Sequence, residues 1–339
     1  MSAGTKPCSV AVLGAGAVAT RLARQLVSTD AVERVILRNG RSDRVLKVAE
    51  ALGDLAVVDR SDYLDPVDAD VVVLAGPNRS QLEGAQTFLR RNQNLVTTTD
   101  SVSVVRALLG LDTEARERGV TVVVGAGFAP GLSCVLASHV AGWFDSVDEI
   151  HIAKAGTGGP SCARQHHLAL GGMAVDWHEG AWHQRHGGSG RELCWFPDPI
   201  GGQDCYRAAL PDALLIQPAF PNARRIAVRM AATRRDRLTA GFPMLWPTHP
   251  EGGPGAVRVE LRGRQGVAYE TAVVGVMDRP AVAAGGVAAL AAIWAGTGRL
   301  SRSGAAGLAE LVDPCLFLGE LAERGIRAAV FEGSLATVP

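Results

Sequence analysis

An α/β protein is predicted: a doubly wound parallel sheet first, then an α+β domain built on a mixed or antiparallel sheet. Three observations predict it. Over the first 125 residues, short β-branched runs alternate with amphipathic stretches, the signature of βαβ units. Runs such as Val71-Val72-Val73-Leu74 and Val122-Val123-Val124 are apolar without alternation, as in strands covered on both faces. After about residue 146 the texture changes. Val257-Arg258-Val259-Glu260-Leu261-Arg262 alternates apolar and charged, as a half-exposed antiparallel strand does.

Taken in order, strands are expected at residues 9–13, 34–37, 56–59, 70–75, 94–98 and 120–125. Helices are expected at 18–27, 45–52 and 102–118. In the second half, 226–230 reads as a strand, and residues 263–266 turn one strand into the next at 267–276. Residues 161–173 read as a helix, the uncharged, Ala/Gly-rich stretch between Arg279 and Arg299 as a buried helix, 247–255 as a loop, and 308–331 as helical, ending in a short apolar run. The expected division is a nucleotide domain at 1–125 and a substrate and oligomerisation domain at 126–299. The segment from about 300 to 339 is expected to pack back on the first domain as a helix.

The 339 residues suffice for about two domains and a substantial core without staples. Thirty-four basic and 34 acidic side chains cancel. That balance excludes a strongly basic nucleic-acid binder and a polybasic membrane-surface protein. Six scattered cysteines form no C-x-x-C pair and read as isolated thiols in a reducing compartment. No stretch has the Leu/Ile/Phe content of a membrane span, so a soluble, cytoplasmic protein without membrane partners is expected.

The strongest motif is Val10-Ala11-Val12-Leu13-Gly14-Ala15-Gly16-Ala17-Val18-Ala19: a strand, G-x-G-x-x-A, then a helix. Gly14 permits the tight turn, Gly16 lets backbone approach a diphosphate, and Ala19 allows close helix–strand packing. The phosphates would sit on the helix N-terminus, against Ala17 and Val18. This is the Rossmann dinucleotide fingerprint. The second strand ends in Leu37-Arg38-Asn39-Gly40-Arg41-Ser42 rather than the acidic residue that grips a ribose 2′-OH. Arg38 and Arg41 suit a 2′-phosphate and Ser42 adds a hydroxyl, which favours NADP(H) over NAD(H). Later strand ends expected to line the same crevice are Ala75-Gly76-Pro77-Asn78, Thr97-Thr98-Thr99-Asp100 and residues 125–131. The last of these, with Gly127, Phe128 and Pro130, is expected nearest the nicotinamide.

At these residues the sequence resembles the saccharopine dehydrogenase family of NAD(P)-dependent oxidoreductases. Gly14-x-Gly16, Arg38-Asn39, Ala75-Gly76-Pro77, Thr98-Thr99-Asp100, residues 125–131 and Phe144-Asp145-Ser146-Val147-Asp148 carry the resemblance, which is loose beyond about residue 155. It implies a Rossmann domain plus a substrate domain, often in a homodimer, and hydride transfer at an amine or imine carbon. Members that grip amino acids often carry an acid before the Pro-Gly of the last loop. Here that residue is Ala129.

Five of the eight histidines lie between residues 166 and 186. A metal site there would draw on His178, His183, His186 and Glu179, but the spacing is no standard ligand frame, and no metal is expected. A substrate pocket would use Arg164 for a carboxylate, its i+3 neighbour His167 as proton donor, and Trp177 as a wall, with His166 pointing elsewhere. The bland alternative is a polar surface without chemistry. Lys154, at a strand end, reads either as a general acid/base or as a solvated lysine. Asp100 reads either as a site residue or as the cap of the next helix. Cys134 reads as a core thiol.

The expected function is an NADP(H)-dependent oxidoreductase acting on a small, carboxylate-bearing molecule in a cleft between the domains. His167, Lys154 and Asp100 are its candidates for proton transfer. Two rivals stay open: a lyase, isomerase or condensing enzyme that recycles a bound nicotinamide, and a non-catalytic NADP-responsive regulator.

Overall fold

The computed structural model describes residues 6–39, 43–242, 244 and 252–330. They form two compact units. The first takes in residues 1–127 and 284–312, the second 128–283 and 313–339.

The first unit is a parallel sheet. Strands β1 (Cys8–Leu13), β2 (Val32–Arg38), β3 (Ala56–Asp59), β4 (Val71–Leu74), β5 (Asn94–Thr97) and β6 (Thr121–Val123) lie in the order β6-β5-β4-β1-β2-β3. This is the doubly wound order with its switch point beside β1, where nucleotides bind. Every residue of β1 and β4 is buried, as their unbroken apolar runs require. Helices α1 (Ala17–Val27), α2 (Asp43–Glu50) and α3 (Asn78–Leu89) follow β1, β2 and β4. The helix expected at 102–118 is two helices, α4 (Val102–Leu109) and α5 (Asp112–Glu117), because the chain caps at Gly110.

The end of the chain departs from expectation. A seventh parallel strand, Gly304–Ala306, joins β6, held by Gly304 N–H to the Val120 carbonyl (2.9 Å) and by Arg302, which pairs with Asp112 and Glu310. The helix Pro280–Gly296 supplies its second half to this unit. A Cβ at Gly285 would stand 2.8 Å from the Leu22 backbone nitrogen, so α1 and this helix meet backbone to backbone. The expected terminal helix that packs back on the first domain does not exist as such. Pro314 cannot continue a helix, and Asp313 caps a new one, Pro314–Glu323, which lies against α6 (Leu132–Ala141) of the second unit.

The second unit is a mixed sheet. Its strands are β7 (Ser146–Ala155), β8 (Met173–His178), β9 (Ala181–His186), β10 (Glu192–Trp195), β11 (Gly202–Arg207), β12 (Arg225–Ala231), β13 (Gly255–Gln265) and β14 (Ala268–Asp278). The main path runs β10-β11-β12-β7-β13-β14 and ends on a short strand, Ala329–Val330, paired with β14, while hairpin β8–β9 joins the edge of β12. The expected hairpin is present as β13–β14, turning at Gly266 with φ +60°. One face carries Ile150, Ile152, Val228, Val257, Val259 and Leu261, all buried, with α6 lying on β7 and β13. Only β7 and β12 pair in parallel. That pair therefore has two carboxyl ends side by side, at Lys154 and Met230.

Candidate functional site

In the first unit, the turn after β1 is built for close approach. Gly14 has φ +145°, and a Cβ there would lie 2.6 Å from the Ala75 carbonyl oxygen. Its N–H donates to the Arg38 carbonyl (2.8 Å). A Cβ at Gly16 would meet nothing within 4 Å. Gly16 is the N-cap of α1, no side chain caps the helix, and its first turn holds no acid. Open space in front of uncapped amides fits a dinucleotide's diphosphate. Beside it, Gly14, Ala15, Thr20, Leu37, Val45 and Val48 line a small hollow.

Arg38 corrects the expectation made of it. Its guanidinium is fully buried and every nitrogen is occupied. Nε donates to Asp59 Oδ2 (2.9 Å), Nη1 to the Asp65 carbonyl (2.7 Å), and Nη2 to the Pro66 carbonyl (2.9 Å) and to Asp59. Burial raises the Asp59 carboxyl, but hydrogen bonds from Ser61 and Arg38 outweigh it and hold the group below its usual range. Arg38 is a staple between β2, β3 and the loop after β3, with four of its five N–H groups bonded within the protein and none of the side chain exposed to a phosphate. Asn39 follows at the strand end, part-buried; Arg41 and Ser42 lie outside the described residues.

The other strand ends meet around β1 and β5. The Ala75 N–H donates to Leu13, Gly76 accepts from the Gln81 side chain, and Pro77 caps α3. Thr98 donates its hydroxyl to Leu74, while Thr99 accepts from Ser101 N–H. Asp100 does not cap α4, whose N-cap is Ser101; its carboxylate accepts from the Asn78 amide (3.1 Å) at the start of α3. Gly127 closes this unit and is buried.

In the second unit, Phe128, Ala129 and Pro130 are buried ahead of α6. Lys154 is only 7% exposed, and its ammonium donates to the Ala129 carbonyl (3.3 Å). The solvated-lysine reading is thereby excluded. Helix α7 (Pro160–Gly171) turns Ala163, His166, Ala169 and Leu170 inward and leaves Arg164 exposed. His166 was expected to point elsewhere, yet it is the histidine brought near Lys154. Its Nε2 faces the Ala231 carbonyl (3.2 Å), and its Nδ1 is buried without a partner. His167 instead reaches the Phe242 carbonyl (2.9 Å). Arg164 and His167 therefore lie on the outward face of α7, with the His167 ring spent on the Phe242 carbonyl. The 163-166-170 spacing of the buried stripe was the signal for His166.

Trp177 does not wall this place. It pairs with Ile226, four residues down β12 from Met230, the partner of Lys154, or about 13 Å along the sheet. Its indole N–H is given to the Ala223 carbonyl, and its ring packs edge-on against Trp182. Glu179 pairs with Arg224, and among the described residues no three His, Cys, Asp or Glu converge as a metal site. Ser133 donates to Asp212 (2.5 Å), both fully buried. Burial first, then the Asp212 charge, pushes the Cys134 thiol up to about 12, as befits a core thiol.

Burial and the Lys154 charge lower the His166 pKa to about 4; its helix neighbour His167 acts the same way, and Asp236 on the following helix opposes them. The ring is therefore neutral at pH 7. With the folded value below the unfolded 6.5, the unfolded chain binds more protons between the two. Stability from this group is complete above pH 6.5 and is lost as pH falls toward 4, by roughly 2–3 kcal/mol. Urea unfolding from pH 7.5 to 4.5 should show that loss in the wild type and a correspondingly shallower one in His166→Gln. Parallel curves would refute it.

Comparison with known proteins agrees with this geometry. Residues 9–98 match a family model described as NADP oxidoreductase, coenzyme F420-dependent. No curated protein matches the chain. The fold, a doubly wound parallel sheet with a second, mixed sheet, is shared with solved dehydrogenases. In particular it resembles saccharopine dehydrogenase (L-Glu forming) from Saccharomyces cerevisiae, with a TM-score of 0.72 at 15% identity over 97% of this chain and 100% of that one. DAP dehydrogenase from C. glutamicum, in complex with DAP, superposes with a TM-score of 0.53 at 15% identity, over 95% and 99%. Amine dehydrogenase from Mycobacterium smegmatis gives 0.51 at 12%, over 90% and 96%. Among the described residues no helix is long and apolar enough to cross a membrane.

Proposed function

We propose that the chain is an NADP(H)-dependent oxidoreductase acting at an amine or imine carbon of a small, carboxylate-bearing substrate. The observation that carries the reading is the Gly14–Gly16 turn, where one glycine is forced by the Ala75 carbonyl and the other opens space before α1. When bound, the nicotinamide supplies or accepts the hydride. In the first unit, the α1 amides orient the diphosphate, the hollow beside Thr20 and Val45 receives the adenosine end, and Ala75, Gly76, Pro77, Thr98 and Thr99 border the ring end. In the second, Phe128, Pro130, Lys154 and His166 hold the substrate, and the Lys154 ammonium is the proton donor. The dehydrogenases named above, one of them an amine dehydrogenase, support the choice of a C–N carbon.

The preference for the 2′-phosphorylated nucleotide rests on Arg41 and Ser42 and on the lack of an acid at residues 38–42. A cytoplasmic homodimer completes the proposal, as the resemblance implies; sedimentation as a single 35.4 kDa species would remove the dimer.

Titration calorimetry with NADPH, NADP+, NADH and NAD+ tests the core of the reading. At least one should bind, NADPH about tenfold or more tighter than NADH, equivalent to about 1.4 kcal/mol. Heat from none of the four would end the proposal. Turnover of substrate without net change in nicotinamide absorbance would point to internal hydride recycling instead.

A further inference from the structure

Of the three lysines, Lys6 and Lys47 are exposed and Lys154 alone is buried. Its ammonium makes one long hydrogen bond, to Ala129, and among the described residues it has no ion pair. A buried cation without a counter-charge is costly, and a ligand's negative charge would offset that cost. Close by, His166 offers a second unsatisfied group. Because Nε2 faces a carbonyl, it carries the proton in the neutral ring, and Nδ1 is left as a buried lone pair without a donor. Lys154 stands near the end of β7, and His166 lies against Ala231, the last residue of its parallel partner β12, so both lie at the same end of this pair.

We infer that Lys154 and His166 form an anion site that takes a carboxylate of the substrate, with His166 picking up a proton as the carboxylate binds. The inference rests on the reading of the chain as an oxidoreductase of small acids and says which end of the substrate meets this loop. The Ala129 carbonyl already holds a cation at this loop. The loop therefore receives a negative group rather than an ammonium. The incoming charge offsets that of Lys154, which otherwise keeps His166 neutral along with burial and His167. Asp236, on the helix after β12, already favours the imidazolium. Protonated, the ring donates from both nitrogens, Nε2 to Ala231 and Nδ1 to the ligand.

The test is calorimetry of the full chain with malonate, inorganic phosphate and methylammonium, at pH 5 and pH 7.5, in two buffers of different ionisation heat. Malonate should bind, about tenfold tighter at pH 5, with net proton uptake, while methylammonium gives no heat. Lys154→Met should weaken malonate at least tenfold and Lys154→Arg should largely restore it, which separates lost charge from lost fold. His166→Gln should still bind malonate but lose the pH dependence and the proton uptake. Wild-type affinity in Lys154→Met, binding of methylammonium, or phosphate binding in place of malonate would each overturn the site. A parallel NADPH titration separates the two readings. Nucleotide heat without malonate heat sinks the anion site alone, and malonate heat without nucleotide heat sinks the proposed function alone.

Discussion

Arg41→Ala should weaken NADPH by roughly 10- to 100-fold and leave NADH unchanged, whereas Arg38→Ala should weaken both alike and destabilise the protein. The two arginines lie three residues apart but do different work. On the proposed reading Arg41 meets the 2′-phosphate, and charge-assisted hydrogen bonds of that kind contribute about 1.5–3 kcal/mol. Arg38 is wholly buried against Asp59 and two loop carbonyls. Removing it leaves a carboxylate and two carbonyls short of donors. Breaking a buried pair in this way costs about 3–5 kcal/mol, and the partial exposure of Asp59 sets the lower end. Thermal unfolding should fall by roughly 6–12 °C. Asp59→Ala should be worse, because it strands a cation that has no access to water. Equal losses of NADPH and NADH in Arg41→Ala would show that no 2′-phosphate is read there. A stable, NADPH-selective loss in Arg38→Ala would show that the staple is misassigned.

Gly14→Val should abolish nucleotide binding and destabilise the first unit by about 2–6 kcal/mol, the sum of backbone strain and overpacking. At φ +145° a β-branched residue is strained whatever its surroundings, and the added Cβ would stand 2.6 Å from the Ala75 carbonyl, a backbone atom that cannot rotate away. β1 and β4 would have to part at the turn proposed to hold the diphosphate. Gly16→Ala supplies the contrast. Its Cβ meets only open space in the free protein, so stability should hold while nucleotide affinity drops at least tenfold. Paired unfolding and calorimetry decide the matter; a Gly16→Ala protein that binds normally would mean the ligand does not approach that backbone.

Much of the first unit was legible because its signals are local. Unbroken apolar runs mark strands buried on both faces, and the glycine turn sits directly between a strand and a helix. The role of Arg38 was not legible in the same way. Arg38 at the end of β2 and Asp59 at the end of β3 are register partners, and that pairing exists only once the two strands lie side by side. The final forty residues failed for a similar reason. Gly304-Ala305-Ala306 has no strand propensity of its own and becomes a strand because β6 offers it an open edge.

On the second unit, residue types pointed to a histidine and a lysine, and Lys154 stands where a strand end should place a functional group. Which histidine meets it depended on the rotation of α7. Arg164 and His167 share a face in sequence spacing, but Ala163, Ala169 and Leu170 bury the other face, and His166 goes with them. The amino-acid sequence by itself determined the nucleotide fold, because periodicity and a glycine turn act through neighbouring residues. Only the tertiary structure decided which charges are spent on holding the chain together, as Arg38 is, and which are buried with few partners, as Lys154 is. Pairing over distances such as Arg38 to Asp59 or Lys154 to Ala129 is a property of packed strands and helices, not of adjacent residues.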